Sequence, residues 1–160
     1  MACITSRFRS TPCRSELMVC VPVTSDFFIS GQIMPDQVQA FADQGFTALI
    51  NNRPDGEEPG QPSSAMIEAA ATSAGLDYLH APMQGAQISE TDIARIHAVT
   101  QQASGKVLGF CRSGARSMLG WALSQSQDRP ADEILTLARD AGHDLSPFRE
   151  VFEARHGPAV

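Results

Sequence analysis

Residues Lys106 to Trp121 read KVLGFCRSGARSMLGW, and they combine a short apolar run, a compact loop and a helical pattern. Val107 to Phe110 has the length and composition of a buried strand. A loop containing one glycine follows, and a helix-compatible run starts at Met118. Strand, tight loop and helix in this order direct backbone N–H groups and the positive end of a helix at one point. Such an arrangement favours the binding of an anion.

Cys111 is the first residue of this loop, and Arg112 and Arg116 lie on either side of Gly114. A cysteine that ends an apolar strand is often only a small buried hydrophobic residue. The two nearby arginines change that interpretation, because buried cations need an anionic partner. Such surroundings favour a thiolate, so we predict that Cys111 is a nucleophile in an anion-binding loop. The other predicted members of the loop are Ser113, Ala115 and Ser117.

The composition is that of an ordinary soluble protein. The chain has 160 residues, of which 42% are hydrophobic and 19% charged, so one domain with a substantial core is expected. The net charge of −6 argues against nucleic acid or an acidic membrane surface as the main partner. No apolar run approaches the roughly 20 residues that a membrane span requires.

The cysteines do not suggest a disulfide framework. Cys3, Cys13 and Cys20 lie in the first twenty residues, without a C-x-x-C pair, whereas Cys111 stands alone in the body of the chain. This usage fits a reduced cytoplasmic protein with a free thiol. No His/Cys/Asp spacing matches a metal site, and the predicted chemistry requires no cofactor.

Residues 1–23 differ in character from the rest of the chain. The first 17 residues contain three arginines, one acid and no apolar periodicity, and they lack the apolar core of a secretory signal. We predict that residues 1–23 are a disordered extension, or that translation starts at Met18. Residues 24–156 are predicted to form a single α/β domain.

Short apolar runs alternate with helical patterns along this domain. The predicted strands are Phe27–Ser30, Phe46–Ile50, Tyr78–Met83 and Val107–Phe110. Helices are predicted to begin near Pro35, Ser63, Ser89, Met118, Pro130 and Ser146. This order predicts a mostly parallel central sheet with helices on both faces. Cys111 then lies at the carboxyl edge of a central strand, where open α/β sheets bind ligands.

A second loop, Asn51 to Pro62, reads NNRPDGEEPGQP and follows another predicted strand. Because it starts at the same edge of the sheet, Arg53 and Asp55 are candidates to reach the Cys111 loop. The alternative is a solvated connection whose acids, Asp55, Glu57 and Glu58, face water. Both interpretations remain open at the level of sequence.

Three segments, FFISGQ, INNRPDGEEPGQPSS and FCRSGARS, resemble the phosphatase-like domain of the beta-lactamase hydrolase-like proteins. The resemblance covers approximately Thr24 to Ala154. That family resembles dual-specificity and protein tyrosine phosphatases, which implies a mostly parallel central sheet flanked by helices. Its members have been described both as nonclassical phosphatases and as sulfurtransferases. The resemblance therefore implies a fold and two reactions.

The sequence departs from the dual-specificity phosphatases at two points. Those enzymes carry His-Cys-x5-Arg-Ser/Thr, whereas here Phe110 precedes Cys111 and four residues separate Cys111 from Arg116. This C-x4-R spacing resembles the loop of rhodaneses, and a narrower ring of N–H donors suits a terminal sulfur. After the third predicted strand, Gln84 stands where a phosphatase needs an aspartic acid to protonate the leaving oxygen.

These departures favour a sulfurtransferase, in which Cys111 takes sulfane sulfur from thiosulfate or a persulfide and carries it as a persulfide. Arg116 and Arg112 hold the charged donor, and Ser113 or Ser117 donates a hydrogen bond to the sulfur. The expected partners are a small anionic sulfur donor, a thiol acceptor and a sulfur-metabolism protein, with neither nucleic acid nor membrane.

Two alternatives stay open. In the first, the chain is a phosphatase that forms a phosphocysteine at Cys111 and uses Asp55 as its acid. In the second, the loop is a non-catalytic module that binds an anion.

Overall fold

A five-stranded sheet forms the centre of the computed structural model, which describes residues 20–157. The strands are β1 (Cys20–Pro22), β2 (Phe27–Ser30), β3 (Phe46–Asn51), β4 (Asp77–His80) and β5 (Lys106–Phe110). They lie in the order β1-β2-β5-β3-β4, with β1 antiparallel to β2 and the other three neighbouring pairs parallel. The prediction of a mostly parallel sheet with the cysteine strand at its centre is confirmed.

In the described part of the chain, six α-helices surround this sheet. They are α1 (Val38–Asp43), α2 (Ser64–Ser73), α3 (Glu90–Gln102), α4 (Ala115–Gln125), α5 (Ala131–Asp140) and α6 (Arg149–Arg155). Short 3-10 turns precede α1 and α6. Ser63 and Ser89 cap α2 and α3 by accepting backbone N–H groups, as their positions in the sequence predict. Within residues 20–157 no helix has the length and apolar character needed to cross a membrane.

The central strand β5 contributes to two cores, one on each face of the sheet. Successive side chains of a strand point to opposite faces. Val107 packs in a cluster with Met118 of α4, whereas Leu108 and Phe110 pack with Ile67 of α2. All three β5 side chains are at most 2% exposed. Burial on both faces explains why this run is apolar without alternation, and it fixes where the residue after Phe110 emerges.

The sequence prediction missed the first strand of the sheet, whereas its predicted strand Phe27–Ser30 is β2. β1 lies inside the predicted disordered extension of residues 1–23, so the sheet begins at Cys20 instead of after residue 23. Backbone pairing with β2 holds it, with Cys20 opposite Ser30 and Pro22 opposite Phe28. An edge strand of three residues gains most of its order from its neighbour, which local composition does not reveal. Residues 1–19 of the predicted extension lie outside the described residues.

Two further boundaries differ for local reasons. The predicted strand Tyr78–Met83 ends at His80, which pairs with Asn51, the last residue of the neighbouring strand β3. Helix α4 begins at Ala115, three residues before the predicted start at Met118. Gly114 has a φ of 93°, which turns the chain sharply enough for the helix to start at the next residue. Three predicted loop members, Ala115, Arg116 and Ser117, therefore lie in the first turn of α4.

Candidate active site

Cys111 lies where β5 ends at the carboxyl edge of the sheet, as predicted, and its side chain is 1% exposed. The backbone N–H of Gly114 donates a hydrogen bond to its Sγ at 3.1 Å. This contact closes the Cys111-to-Gly114 loop around the sulfur and places the amino end of α4 directly after it. A donor at that distance, with a helix N-terminus behind it, stabilises negative charge on the sulfur or on a group bound to it.

The end of β2 supports the loop from the other side. Cys111 N–H donates to the Ser30 carbonyl at 3.4 Å, and Gln32 N–H donates to the Arg112 carbonyl at 3.4 Å. Between these contacts lies Gly31, at which an added Cβ would stand 2.9 Å from the Arg112 oxygen. The two backbones can approach this closely because residue 31 has no side chain.

Arg116 is held by two other segments of the chain. Its Nη1 and Nη2 bind the two carboxylate oxygens of Glu57 at 2.7 and 2.8 Å, and Nη1 also donates to the Met83 carbonyl at 2.9 Å. The hydrogen bond with Glu57 raises the pKa of Arg116, and the adjacent Cys111 sulfur raises it further. The guanidinium is thus fixed at one end by a carboxylate and lies beside the nucleophile.

Ser117 is buried in the first turn of α4 and packs against the strand that carries the cysteine. A Cβ added at Gly109 would stand 3.2 Å from the Ser117 Cβ, so the glycine makes room for this side chain. Within residues 20–157 the Ser117 hydroxyl has no hydrogen-bond partner. Buried hydroxyls are seldom left without a hydrogen-bond partner in folded proteins.

Arg53 belongs to the second loop and is 2% exposed. Its Nε donates to Glu57 at 2.8 Å, its Nη1 donates to the Gln32 amide oxygen at 3.0 Å, and its Nη2 lies 3.3 Å from Glu58. Among the described residues no hydrogen bond joins the Arg53 side chain directly to the Cys111 loop. Glu57 and Glu58 link it to Arg116 and Arg112. Burial of a cation is compensated here by the paired carboxylates.

Glu57 and Glu58 are the members of the site that sequence reasoning did not assign. Besides its bond to Arg53, Glu57 binds Arg116, and Glu58 binds Arg112 at 2.8 Å. The interpretation that these two acids merely face water is therefore wrong. The available signal was charge complementarity, because two acids follow Arg53 in a loop already expected to face two arginines.

Glu57 is ionised throughout the neutral range. The hydrogen bond with Arg116, followed by that with Arg53, lowers the pKa of Glu57 from 4.5 to about 2. A carboxyl group with this pKa holds no proton to give to a leaving group at pH 7. Its chemistry is that of a fixed anion that orients the guanidinium of Arg116.

Asp55 caps a helix. Its Oδ1 accepts the backbone N–H of Ser64, the first residue of α2, at 2.7 Å. Within the described part of the chain the structure gives Asp55 no hydrogen bond to the Cys111 loop. The second-loop residue that contacts this loop is Glu57, two positions further along.

Comparison with known proteins identifies the family. Residues 20–128 match the family model described as beta-lactamase hydrolase-like protein, phosphatase-like domain. The chain belongs to this family. A beta-lactamase hydrolase-like protein of Xylella fastidiosa (strain Temecula1) is 39% identical over 130 residues, and one of Agrobacterium fabrum is 37% identical. These matches cover 80% of the chain but only 30% of each relative, so the chain spans about a third of the length of these relatives.

Solved structures show the same fold. A putative phosphatase from Neisseria meningitidis is 31% identical, with a TM-score of 0.70 over 84% of this chain and 96% of that one. Tk-PTP in its active form is 17% identical, with a TM-score of 0.64 over 86% and 95%, which shows likeness of fold alone. The predicted phosphatase-like α/β fold is confirmed. These comparisons support the phosphatase alternative, and they give no support to the rhodanese-like interpretation.

Replacing Asp55 in the phosphatase-like domain tests whether it acts as an acid or as a cap. Asp55→Asn keeps an oxygen that accepts the Ser64 N–H, so we expect activity within about threefold of wild type and unchanged stability. Asp55→Ala removes the acceptor and should lower the free energy of unfolding by about 1 kcal/mol. Aryl phosphate kinetics and urea unfolding measure the two effects. A tenfold loss in Asp55→Asn alone would assign the proton transfer to Asp55 after all.

Glu57→Gln should lower kcat/KM for an aryl phosphate about tenfold, because loss of the carboxylate leaves Arg116 poorly oriented, at a cost of about 1.4 kcal/mol.

The same variant should change how the stability of the fold depends on pH. Because folding lowers the pKa of Glu57, its carboxylate stabilises the folded state fully at pH values above 4.5, the ordinary pKa of the group. This stabilisation is lost as the pH falls towards about 2. Acid unfolding monitored by circular dichroism should therefore begin at higher pH in the variant.

The matched control is Glu68→Gln, which neutralises an exposed acid on α2. It should leave both the kinetics and the acid transition unchanged. Equal or higher activity in Glu57→Gln would mean that Glu57 obstructs the anion site and does not orient Arg116.

Proposed function

We propose that this domain is a cysteine-dependent phosphatase that hydrolyses phosphate monoesters through a phosphocysteine at Cys111. The observation that carries the proposal is the geometry around the sulfur. Gly114 N–H donates to Sγ at 3.1 Å while Arg116, held by Glu57, lies beside it, in a fold shared with phosphatases. This combination offers a nucleophile together with donors for the charge of a transferring phosphoryl group.

The reaction consists of two displacements. In the first, the Cys111 thiolate attacks phosphorus, the S–P bond forms, and the bond to the alcohol oxygen breaks with its electron pair on that oxygen. In the second, water attacks phosphorus, loses a proton, and returns the electron pair to sulfur as phosphate leaves. The N–H groups of the loop and the guanidinium of Arg116 bind the equatorial oxygens in both steps.

The supply of a proton to the leaving oxygen limits the substrates. Glu57 is ionised and Asp55 caps α2, while the position after β4 that could carry an acid is Gln84. Esters whose alcohols leave as weakly basic anions, such as aryl phosphates, therefore suit this site better than alkyl phosphates.

The test is direct detection of the covalent intermediate. The domain is mixed rapidly with an aryl phosphate, quenched, and digested, and the Cys111 peptide is weighed by mass spectrometry. We expect the mass of the Cys111 peptide to increase by one PO3H unit, and we expect the phenol to be released in a burst. Hydrolysis without this adduct at early times, or an adduct on another residue, contradicts it.

Sulfur transfer is the second candidate, and the observation that favours it is the length of the loop. Four residues separate Cys111 from Arg116, and no acid stands at Gln84, which a persulfide mechanism does not need. In that mechanism the Cys111 thiolate attacks a sulfane sulfur, releases sulfite or a thiolate, and later yields the sulfur to a thiol. The same mass measurement after incubation with thiosulfate separates the candidates, because sulfur transfer adds one sulfur atom to Cys111. If the domain binds sulfate but forms neither adduct at Cys111, the result favours a non-catalytic module that binds an anion.

A further inference from the structure

An open cleft of about 560 Å³ lies between the second loop and the segment that follows β4. One wall is Pro54, and the other is formed by residues between Pro82 and Asp92. Its volume is within the range of pockets that bind small organic molecules. The cleft is lined by Pro54, Pro82, Gln84, Ala86, Gln87, Ile88, Ser89 and Asp92.

The cleft is adjacent to the anion-binding arginine. The guanidinium of Arg116 binds Glu57 from the second loop and the Met83 carbonyl from the segment after β4. Pro54 lies three residues before Glu57, and Met83 lies between the lining residues Pro82 and Gln84. Both walls of the cleft are thus continuous with the two segments that hold Arg116. A group attached to an anion bound by Arg116 can extend into this open cleft.

The lining is neutral and partly apolar. Carbon surfaces come from two prolines, Ala86 and Ile88, and hydrogen-bonding groups come from the amides of Gln84 and Gln87. No lysine, arginine or histidine is among the lining residues. The one charged member, Asp92, is ion-paired with Arg95 at 3.0 Å. This surface attracts an uncharged organic group and offers no cation to a second anion.

The charges around the nucleophile lead to the same conclusion. Three arginines, Arg53, Arg112 and Arg116, are paired with two glutamates, Glu57 and Glu58. The arginines exceed the glutamates by one positive charge, before the negative charge of a Cys111 thiolate is counted. A site with this balance suits one phosphate group, whereas a polyphosphorylated ligand would place further negative charge against the glutamates and Asp92.

We propose that this cleft binds the leaving group, and that it selects phosphate monoesters of uncharged, partly apolar alcohols of about the size of a phenol over esters that carry further anionic groups. The inference rests on the proposed phosphatase function and adds its substrate class. Gln84 and Gln87 donate to or accept from polar atoms of the alcohol, and the prolines and Ile88 contact its ring.

The first measurement compares phenyl phosphate with the same ester bearing a para carboxylate. We expect kcat/KM at least about tenfold higher for phenyl phosphate. Gln87→Lys adds a cation to the cleft and should raise the ratio of kcat/KM for the carboxylated ester to kcat/KM for phenyl phosphate about fivefold. Gln102→Lys, the same change at an exposed position at the end of α3, is the control and should alter neither value.

A second variant tests occupancy of the cleft. Ala86→Trp fills the space and should lower kcat/KM for phenyl phosphate about tenfold, while the inhibition constant of inorganic phosphate stays that of wild type. The cleft inference is overturned if kcat/KM is equal for the two esters, or if Gln87→Lys and Ala86→Trp both have the kcat/KM values of wild type. Either result leaves the phosphatase function standing. Absence of Cys111-dependent turnover of either ester overturns the phosphatase function itself, and the inference with it.

Discussion

Cys111→Ser should reduce the kcat for an aryl phosphate by a factor on the order of 10⁴. A serine hydroxyl is not ionised at neutral pH, and no base is hydrogen-bonded to Cys111 among the described residues, so the first displacement loses its nucleophile. The substitution is nearly isosteric in a side chain that is 1% exposed, and the Gly114 N–H can donate to the new oxygen. Steady-state release of p-nitrophenol measures the effect.

The matched control is Cys20→Ser, because Cys20 is the other free cysteine in the described part of the chain. It lies on the edge strand β1 and should leave kcat within about twofold of wild type. Thermal unfolding of both variants shows whether the fold is retained. Turnover of Cys111→Ser above a hundredth of the wild-type rate would remove Cys111 from the role of nucleophile.

Arg116→Lys should lower kcat/KM about 100-fold although the positive charge is kept. The guanidinium makes two hydrogen bonds to Glu57 and one to the Met83 carbonyl, and it still has donors for an anion. A lysine ammonium has three hydrogens and no planar fork, so it cannot bind Glu57 bidentately and also bind two phosphate oxygens. The expected loss corresponds to about 2.7 kcal/mol of transition-state stabilisation.

Arg112→Lys provides the comparison at the other arginine of the loop. The Arg112 side chain is 69% exposed and pairs with Glu58, so the same change there should cost less than about fivefold. Both variants are measured with one aryl phosphate and checked by circular dichroism. Losses of equal size at the two positions would show that the loop responds to total charge instead of to the orientation of Arg116.

Most of the fold could be predicted because its signals are local. The alternation of apolar strands with capped helices places β2, β3, β4 and β5 within a few residues of their observed bounds. The edge strand β1 could not be predicted, because its three residues are ordered by pairing with β2 and carry little pattern of their own. The start of α4 was displaced because the conformation of Gly114, with its φ of 93°, ends the loop earlier than composition suggests.

The candidate site divides in the same way. Cys111 and Arg116 stand on one contiguous loop and helix, so their neighbourhood could be predicted from spacing alone. The roles of Asp55 and Glu57 could not be predicted, because both are acids of the same proline- and glycine-rich loop. One caps a helix and the other orients an arginine, and only the path of the folded loop distinguishes them.

The sequence by itself determined the nucleophile loop, its position at the carboxyl edge of a central strand, and the class of fold. It could do so because a strand, a tight turn and a helix are specified by residues close together in the chain. Only the tertiary structure decided how the charges of the site are paired and which cleft adjoins them. Glu57 and Arg116 are 59 positions apart, and the cleft walls come from two loops that meet only when the sheet has assembled. Contacts of that range depend on packing of the whole domain, which no local pattern records.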